Sequence, residues 1–245
     1  MSTAPSDGVE DGGAEDALLR PVRTGNAFED TVSRLLQTVR LGVVPPGGSL
    51  PAERELALRL GVSRDTVREA IRTLTDAGFL VRRRGRYGGT FVVDELPPTT
   101  HHGAAGATEI DLDDVLRLRE VLEVGAVRLA AGRTLSAADR EGLWSRLQDL
   151  RGASPTDYRR LDSRLHLTLA ELAGSPSLLP LVADVRTKIN VFLDDIPLLP
   201  RNIAHSDEQH ETVVIAVLAG DADRAAAAME EHLAGSAALL RGFFS

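Results

Sequence analysis

The stretch Leu50-Pro-Ala-Glu-Arg-Glu-Leu-Ala-Leu-Arg-Leu-Gly-Val-Ser-Arg-Asp-Thr-Val-Arg-Glu-Ala-Ile-Arg-Thr-Leu74 decides the fold. It reads as two short amphipathic helices joined by the tight turn Gly61-Val62-Ser63. Ser63 stands where a helix N-cap belongs, and Pro51 suits the first turn of the earlier helix. Val67, Ala70, Ile71 and Leu74 recur at helical spacing and predict a buried face, leaving Arg64, Thr66, Arg68 and Arg72 to the other faces. This is the layout of a helix-turn-helix, in which one helix braces and the next enters the major groove of DNA. Just downstream, Phe79-Leu-Val-Arg-Arg-Arg-Gly-Arg-Tyr-Gly-Gly-Thr-Phe-Val-Val93 holds two apolar strand segments around a basic, glycine-rich turn, the pattern of a wing. Upstream, Phe28, Val32, Leu35, Leu36 and Val39 predict a helix over 28–41 that ends at the Gly/Pro-rich run 42–48.

Charge divides the chain in the same place. Residues 22–93 carry 12 arginines against 7 carboxylates, a balance of +5, which leaves −13 for the remainder within a total of −8. A basic module is attached to an acidic one, which reconciles an acidic chain with a nucleic-acid partner. The absence of cysteine excludes disulfides and thiolate metal sites. The sequence has no apolar run of about 18 residues and no secretory pattern, so a cytoplasmic protein without membrane contact is expected.

Composition predicts a disordered acidic tail over 1–21, a winged helix-turn-helix over 22–95, a linker over 96–109 and a second domain over 110–245. In that second domain, helical segments are expected near 111–131, 136–151, 156–173, 176–195, 202–219 and 222–243. No strand pattern lies between them, so the fold class is mainly α, ending in a bundle of six or seven helices.

The bundle carries a second constellation. Asp162 and His166 stand i, i+4 on one helix face, while His210 and His232 fall on the last two predicted helices. One carboxylate and three neutral imidazoles are suitable ligands for a divalent metal, zinc first, with nickel or manganese as alternatives. The same spacing also suits a solvated face or capped core histidines. His101, His102 and His205 read as structural or solvated. No second pair of carboxylates or other obvious general base is expected beside the four ligand-type residues in sequence.

Together the two halves resemble the GntR family of bacterial transcription regulators, in the FadR subfamily with a C-terminal FCD domain. The N-terminal resemblance rests on Leu50-Pro-Ala-Glu-Arg-Glu-Leu-Ala57, Gly61-Val-Ser-Arg-Asp-Thr-Val-Arg-Glu-Ala70, Gly78-Phe-Leu80 and the glycine wing. The C-terminal one rests on Arg119-Glu-Val-Leu-Glu123, Asp162-x-x-x-His166, Gln209-His210, Ala219-Gly-Asp221 and Glu231-His-Leu233. The resemblance implies DNA contacts from Arg54, Ser63, Arg64, Thr66, Arg68, Arg84 and Gly85. It implies metal ligation by Asp162, His166, His210 and His232, and an effector contact from Arg119. The Arg119–Glu123 spacing also fits a helix-surface salt bridge. Three positions depart from the family pattern: Ser175 where Asn is frequent, Gln209 where Glu is common, and Asp65 in place of a neutral residue.

The function expected is a ligand-responsive DNA-binding repressor rather than an enzyme. A homodimer would bind a palindromic operator, and a small carboxylate effector would act beside the metal. One alternative keeps the DNA-binding function with a metal-free pocket for an apolar or acyl effector. Another is a metal-dependent hydrolase.

Overall fold

The computed structural model describes residues 14, 15, 18, 19, 21, 27–85, 88–97 and 111–244. Its N-terminal part contains α1 (Ala27–Arg40), α2 (Glu53–Leu60), α3 (Arg64–Asp76), β1 (Leu80–Arg83) and β2 (Gly89–Val92). Six helices follow: α4 (Leu112–Ala131), α5 (Ala137–Arg151), α6 (Tyr158–Leu172), α7 (Leu178–Leu193), α8 (Pro200–Ala219) and α9 (Ala222–Phe244). The chain is mainly α, with one antiparallel hairpin among the described residues. Among those residues, no helix is long and apolar enough to cross a membrane.

Local chemistry sets the turn at the heart of the N-terminal part. Gly61 closes α2 in the left-handed region (φ +67°), where a side chain would clash with the backbone. Two residues later Ser63 is extended, and its Oγ accepts the Thr66 N–H at 3.0 Å, which starts α3. Val67, Ala70, Ile71 and Leu74 are buried, as their spacing predicts. They pack with Leu35 and Val39 of α1, Leu56 and Leu60 of α2, and Leu80 and Val92 of the hairpin. The strands pair Leu80 with Val92 and Arg83 with Gly89. That register sends Leu80 and Val92 into the core and leaves Arg82, Arg83 and Arg84 exposed.

In the C-terminal bundle, α4 is the central element, packing against α6, α7, α8 and α9. The start of α8 lies two residues before the expected 202. Pro200 occupies the first turn, where its missing N–H breaks no helical bond. The bundle core joins Val127, Leu143, Leu147, Leu165, Val213, Val217 and Met229.

A third cluster joins the two parts directly. Leu41 and Val43, just after α1, are buried among Ala126 of α4, Leu167 and Ala170 of α6, and Val182 and Ala183 of α7. Beside it, Gln37 Nε2 donates to Asp184 Oδ1 (3.0 Å) and Thr187 Oγ1 (3.1 Å), and Arg34 Nη1 lies 3.3 Å from Asp184. Ala14 and Leu18 join this cluster, while Leu19 joins the N-terminal core and Glu15 pairs with Arg59. The segment read from composition as a tail therefore contributes packed side chains at these positions. Most of that segment, and residues 98–110 with His101 and His102, lie outside the described residues.

Candidate nucleic-acid face and metal centre

The polar edge of α3 and the hairpin form one basic surface. An open groove between them is lined by Arg54 of α2, Arg64 of α3, and Arg82, Arg83 and Arg84 of the wing, with Glu53 its one carboxylate. Arg54, Arg64 and Arg84 form no ion pair among the described residues. Arg68 is held by Asp65 Oδ1 at 2.9 Å and by Glu53 Oε2 at 3.3 Å, and Glu53 also pairs with Arg82. These pairs are exposed, so phosphate can exchange with the carboxylates at little cost. Asp65, unusual for the resembled pattern, therefore acts on Arg68 within its own helix. Ser63 and Thr66 are linked, Oγ to Oγ1, at 2.8 Å. Gly85 lies at the wing tip at φ +105° with open space around it.

The second constellation closes in space. Asp162 and His166 on α6, His210 on α8 and His232 on α9 are all buried, each offering a donor atom within 4.8 Å of the others. His210 Nε2 stands 3.3 Å from His166 Nε2 and 3.3 Å from Asp162 Oδ1, and His166 Nε2 is 3.7 Å from Asp162 Oδ1. Donors about 2.0–2.1 Å from a shared tetrahedral ion stand about 3.4 Å apart, so the set fits a small divalent cation. The lone pairs are available too. Burial pushes His210 down to about 3 and His232 well below the usual imidazole value, which leaves both rings neutral near pH 7. Burial would raise Asp162, but the Arg186 guanidinium outweighs it and holds the carboxyl well below its usual range.

Two buried residues that the sequence reading did not place at the ligands complete the centre. Glu123 of α4 meets His166 Nδ1 through Oε2. A carboxylate on Nδ1 fixes the proton there and turns the Nε2 lone pair toward the cluster. Glu123 is 43 residues from His166 in sequence and adjacent to it in the fold. It also changes the reading of the Arg119–Glu123 pair. The bond is made, Nε to Oε1 at 3.0 Å, but both residues are 2% exposed, so it is an interior pair rather than a surface one. Arg186 of α7 is fully buried, donating to Asp162 Oδ2 and, at 3.3 Å, to Ser163 Oγ. Asp162 thus offers Oδ1 to the imidazoles and Oδ2 to a guanidinium. Burial opposes ionisation of Glu123 as well, but Arg119, His166 and Arg186 together hold it far below the usual range.

A pocket of about 340 Å³ opens onto this centre. Arg119, Asp162, Gln209 and His232 line its inner end, with Tyr158 and Arg159 beside them, and Leu193, Leu198, Leu199, Ile203 and Leu239 provide an apolar wall. Arg119 Nη1 donates to Ser236 Oγ at 2.9 Å. Gln209 Oε1 lies 3.3 Å from His232 Nδ1, so glutamine at this position supplies a neutral acceptor to that ring. His205, expected to be structural or solvated, is exposed and lines the pocket.

Comparison with known proteins agrees with both halves. Residues 28–92 match the model for "Bacterial regulatory proteins, gntR family", and residues 114–235 match that of the FCD domain. A protein from Escherichia coli K12, named as an L-lactate dehydrogenase operon regulatory protein, is 30% identical over 227 residues, covering 88% of this chain and 86% of its own. The HTH-type transcriptional regulator LutR of Bacillus subtilis is 28% identical over 217 residues, covering 84% and 97%. Among solved structures, E. coli McbR/YncC superposes with a TM-score of 0.53 at 21% identity, covering 89% of this chain and 99% of that one, which shows a common fold. With a gntR-type helix-turn-helix joined to an FCD domain, and with such relatives along most of its length, this chain belongs to the GntR family of DNA-binding transcription regulators and is not an enzyme.

Proposed function

We propose that the protein is a metal-dependent, carboxylate-responsive repressor. The DNA-binding unit is 22–95, the effector and dimerisation unit 110–245, and the linker 96–109. A homodimer sets two recognition helices on the half-sites of a palindromic operator, since a two-fold protein matches a two-fold site. Arg64 and Arg68 reach base edges or phosphates from the start of α3, with Thr66 and Ser63 beside them. Arg54 holds the backbone from the bracing helix, and Arg84 with Gly85 carries the wing toward the adjacent groove.

The observation that carries the effector half is the convergence of four buried donor atoms, two of them on Asp162 and His232, which line a pocket that Arg119 also lines. Asp162, His166, His210 and His232 would hold a divalent ion, zinc first, with nickel and manganese as alternatives. When bound, such an ion supplies a Lewis-acid point of attachment for a carboxylate. The protein's own groups do the rest. Glu123 orients His166, Arg186 orients Asp162, and Arg119 faces the incoming anion. The leucine-rich wall favours a second reading, in which an apolar acyl effector fills the pocket without metal.

The test is metal content by elemental analysis of the purified wild type beside His166→Ala/His210→Ala, followed by operator binding with and without added carboxylates. About one divalent ion per chain, lost in the double variant, supports the metal reading. Its absence from both proteins after incubation with zinc, nickel or manganese, each with and without succinate, would leave the acyl reading.

A further inference from the structure

The charged groups around the imidazoles cancel one another before an ion arrives. Arg119, Glu123, Asp162 and Arg186 are 2%, 2%, 8% and 0% exposed, two guanidiniums against two carboxylates. Their contacts close on themselves. Arg119 binds Glu123 at 3.0 Å, Arg186 binds Asp162, and Arg186 Nη1 lies 4.0 Å from Glu123 Oε1. The imidazoles add nothing, because a coordinating ring nitrogen is unprotonated. A divalent ion at Asp162 Oδ1 therefore enters a neutral enclosure and leaves two positive charges without partners. Buried charge of that kind is strongly unfavourable.

Among the described residues, the pocket lining on the open side adds no further carboxylate. The pocket is lined by a second cation, Arg159, whose Nη2 donates to the carbonyls of Leu193 (2.7 Å) and Ile196 (3.2 Å). Asp162 is the pocket's one carboxylate, and it is already paired with Arg186. Compensation has to come from the ligand.

We propose that Arg186 makes metal and effector binding interdependent: by neutralising Asp162 it leaves a site that holds a divalent ion well only together with an anion in the adjacent pocket, a dicarboxylate better than a monocarboxylate. The inference rests on the metal reading given above. It assigns Arg186 a positioning and charge-setting role. The same donors without that guanidinium would carry a net negative charge and retain the ion alone.

Full-length protein, titrated with nickel against a chromophoric chelator in a buffer free of carboxylate and phosphate, tests this. The additions are butyramide, butyrate and succinate, three four-carbon probes of rising negative charge, with their own weak chelation subtracted. Nickel affinity is expected to be unmoved by butyramide, raised about tenfold by butyrate and raised further by succinate, within the usual range of coupling between two ligands. In Arg186→Met, affinity without carboxylate should rise about tenfold and the succinate effect should shrink below about threefold, while Arg186→Lys keeps the wild-type pattern. Melting curves establish that each variant is folded, and the wild-type series decides the interdependence without any variant. Equal nickel affinity with and without succinate overturns the proposal and leaves the metal reading standing. No nickel binding under any condition overturns the metal reading and this inference with it. Full wild-type coupling in a folded Arg186→Met protein overturns the role given to Arg186.

Discussion

Glu123→Gln is the most demanding test of the buried centre, because it changes charge while keeping shape. The carboxylate accepts from Arg119 Nε through Oε1 and meets His166 Nδ1 through Oε2. An amide has one acceptor oxygen and a donor NH₂, so it can satisfy Arg119 or His166 but turns a donor toward the other. Arg119 and Arg186 also lose the anion that offsets their charge at 3.0 and 4.0 Å. Breaking a buried ion pair from one side costs about 3–5 kcal/mol. For a chain of this size that corresponds to a fall in melting temperature of roughly 6–20 °C. Metal affinity should fall about 10–100-fold, because His166 loses the acceptor that orients it. Thermal melts of the metal-free protein read the first effect, and chelator competition reads the second. A variant that melts within about 2 °C of wild type and binds the ion within about twofold would refute both the charge balance and the orientation of His166.

Other consequences can be measured directly. Arg64→Ala should weaken operator binding by about 1–3 kcal/mol and relax specificity at one position; unchanged affinity in a gel-shift titration would remove Arg64 from the interface. Binding should also weaken steeply between 50 and 200 mM salt, since phosphate-contacting arginines release counterions, and a flat response would contradict a basic groove as the docking face. A strong chelator should lower the melting temperature of the wild type and leave His166→Ala/His210→Ala unmoved; identical shifts in both would place the ion elsewhere. Leu41→Ala, at the packed joint between the two parts, should cost roughly 2–5 kcal/mol in denaturant unfolding, and a loss below about 1 kcal/mol would mean that the joint is loosely packed.

The sequence made the DNA-binding half legible because its signals are local. Ser63 caps within three residues, Gly61 turns within one, and Val67, Ala70, Ile71 and Leu74 repeat at the helical period. The residue types of the candidate metal centre were legible for another reason: Asp162 and His166 share a helix face, and histidines are few enough for His210 and His232 to stand out. Glu123 and Arg186 left no comparable trace of their place at the site. Each sits among ordinary helical charges, 43 residues before His166 and 24 residues after Asp162 respectively, and only the packing of α4 and α7 against α6 brings them to the site. The Arg119–Glu123 spacing was visible, but spacing does not say which side of a helix faces inward. The joint at Leu41 and Val43 was hidden for a similar reason, since two apolar residues after a helix read equally well as the end of its own domain's core.

Gly42 sits between those two residues at φ +68°, and a Cβ there would come within 2.8 Å of Arg160 Cγ. Arg160 belongs to α6, two residues before Asp162. One rigid rod thus carries a carboxylate of the candidate metal centre on one flank and the seat of the DNA-binding unit on another. Signalling between the halves then needs no messenger through 96–109. A helix has little slack along its length, so a tilt of α6 large enough to reset the donor spacing also shifts the cradle that receives Leu41 and Val43. The chain is read less well as two beads on a string than as a key whose bow and blade are cut from one piece of metal.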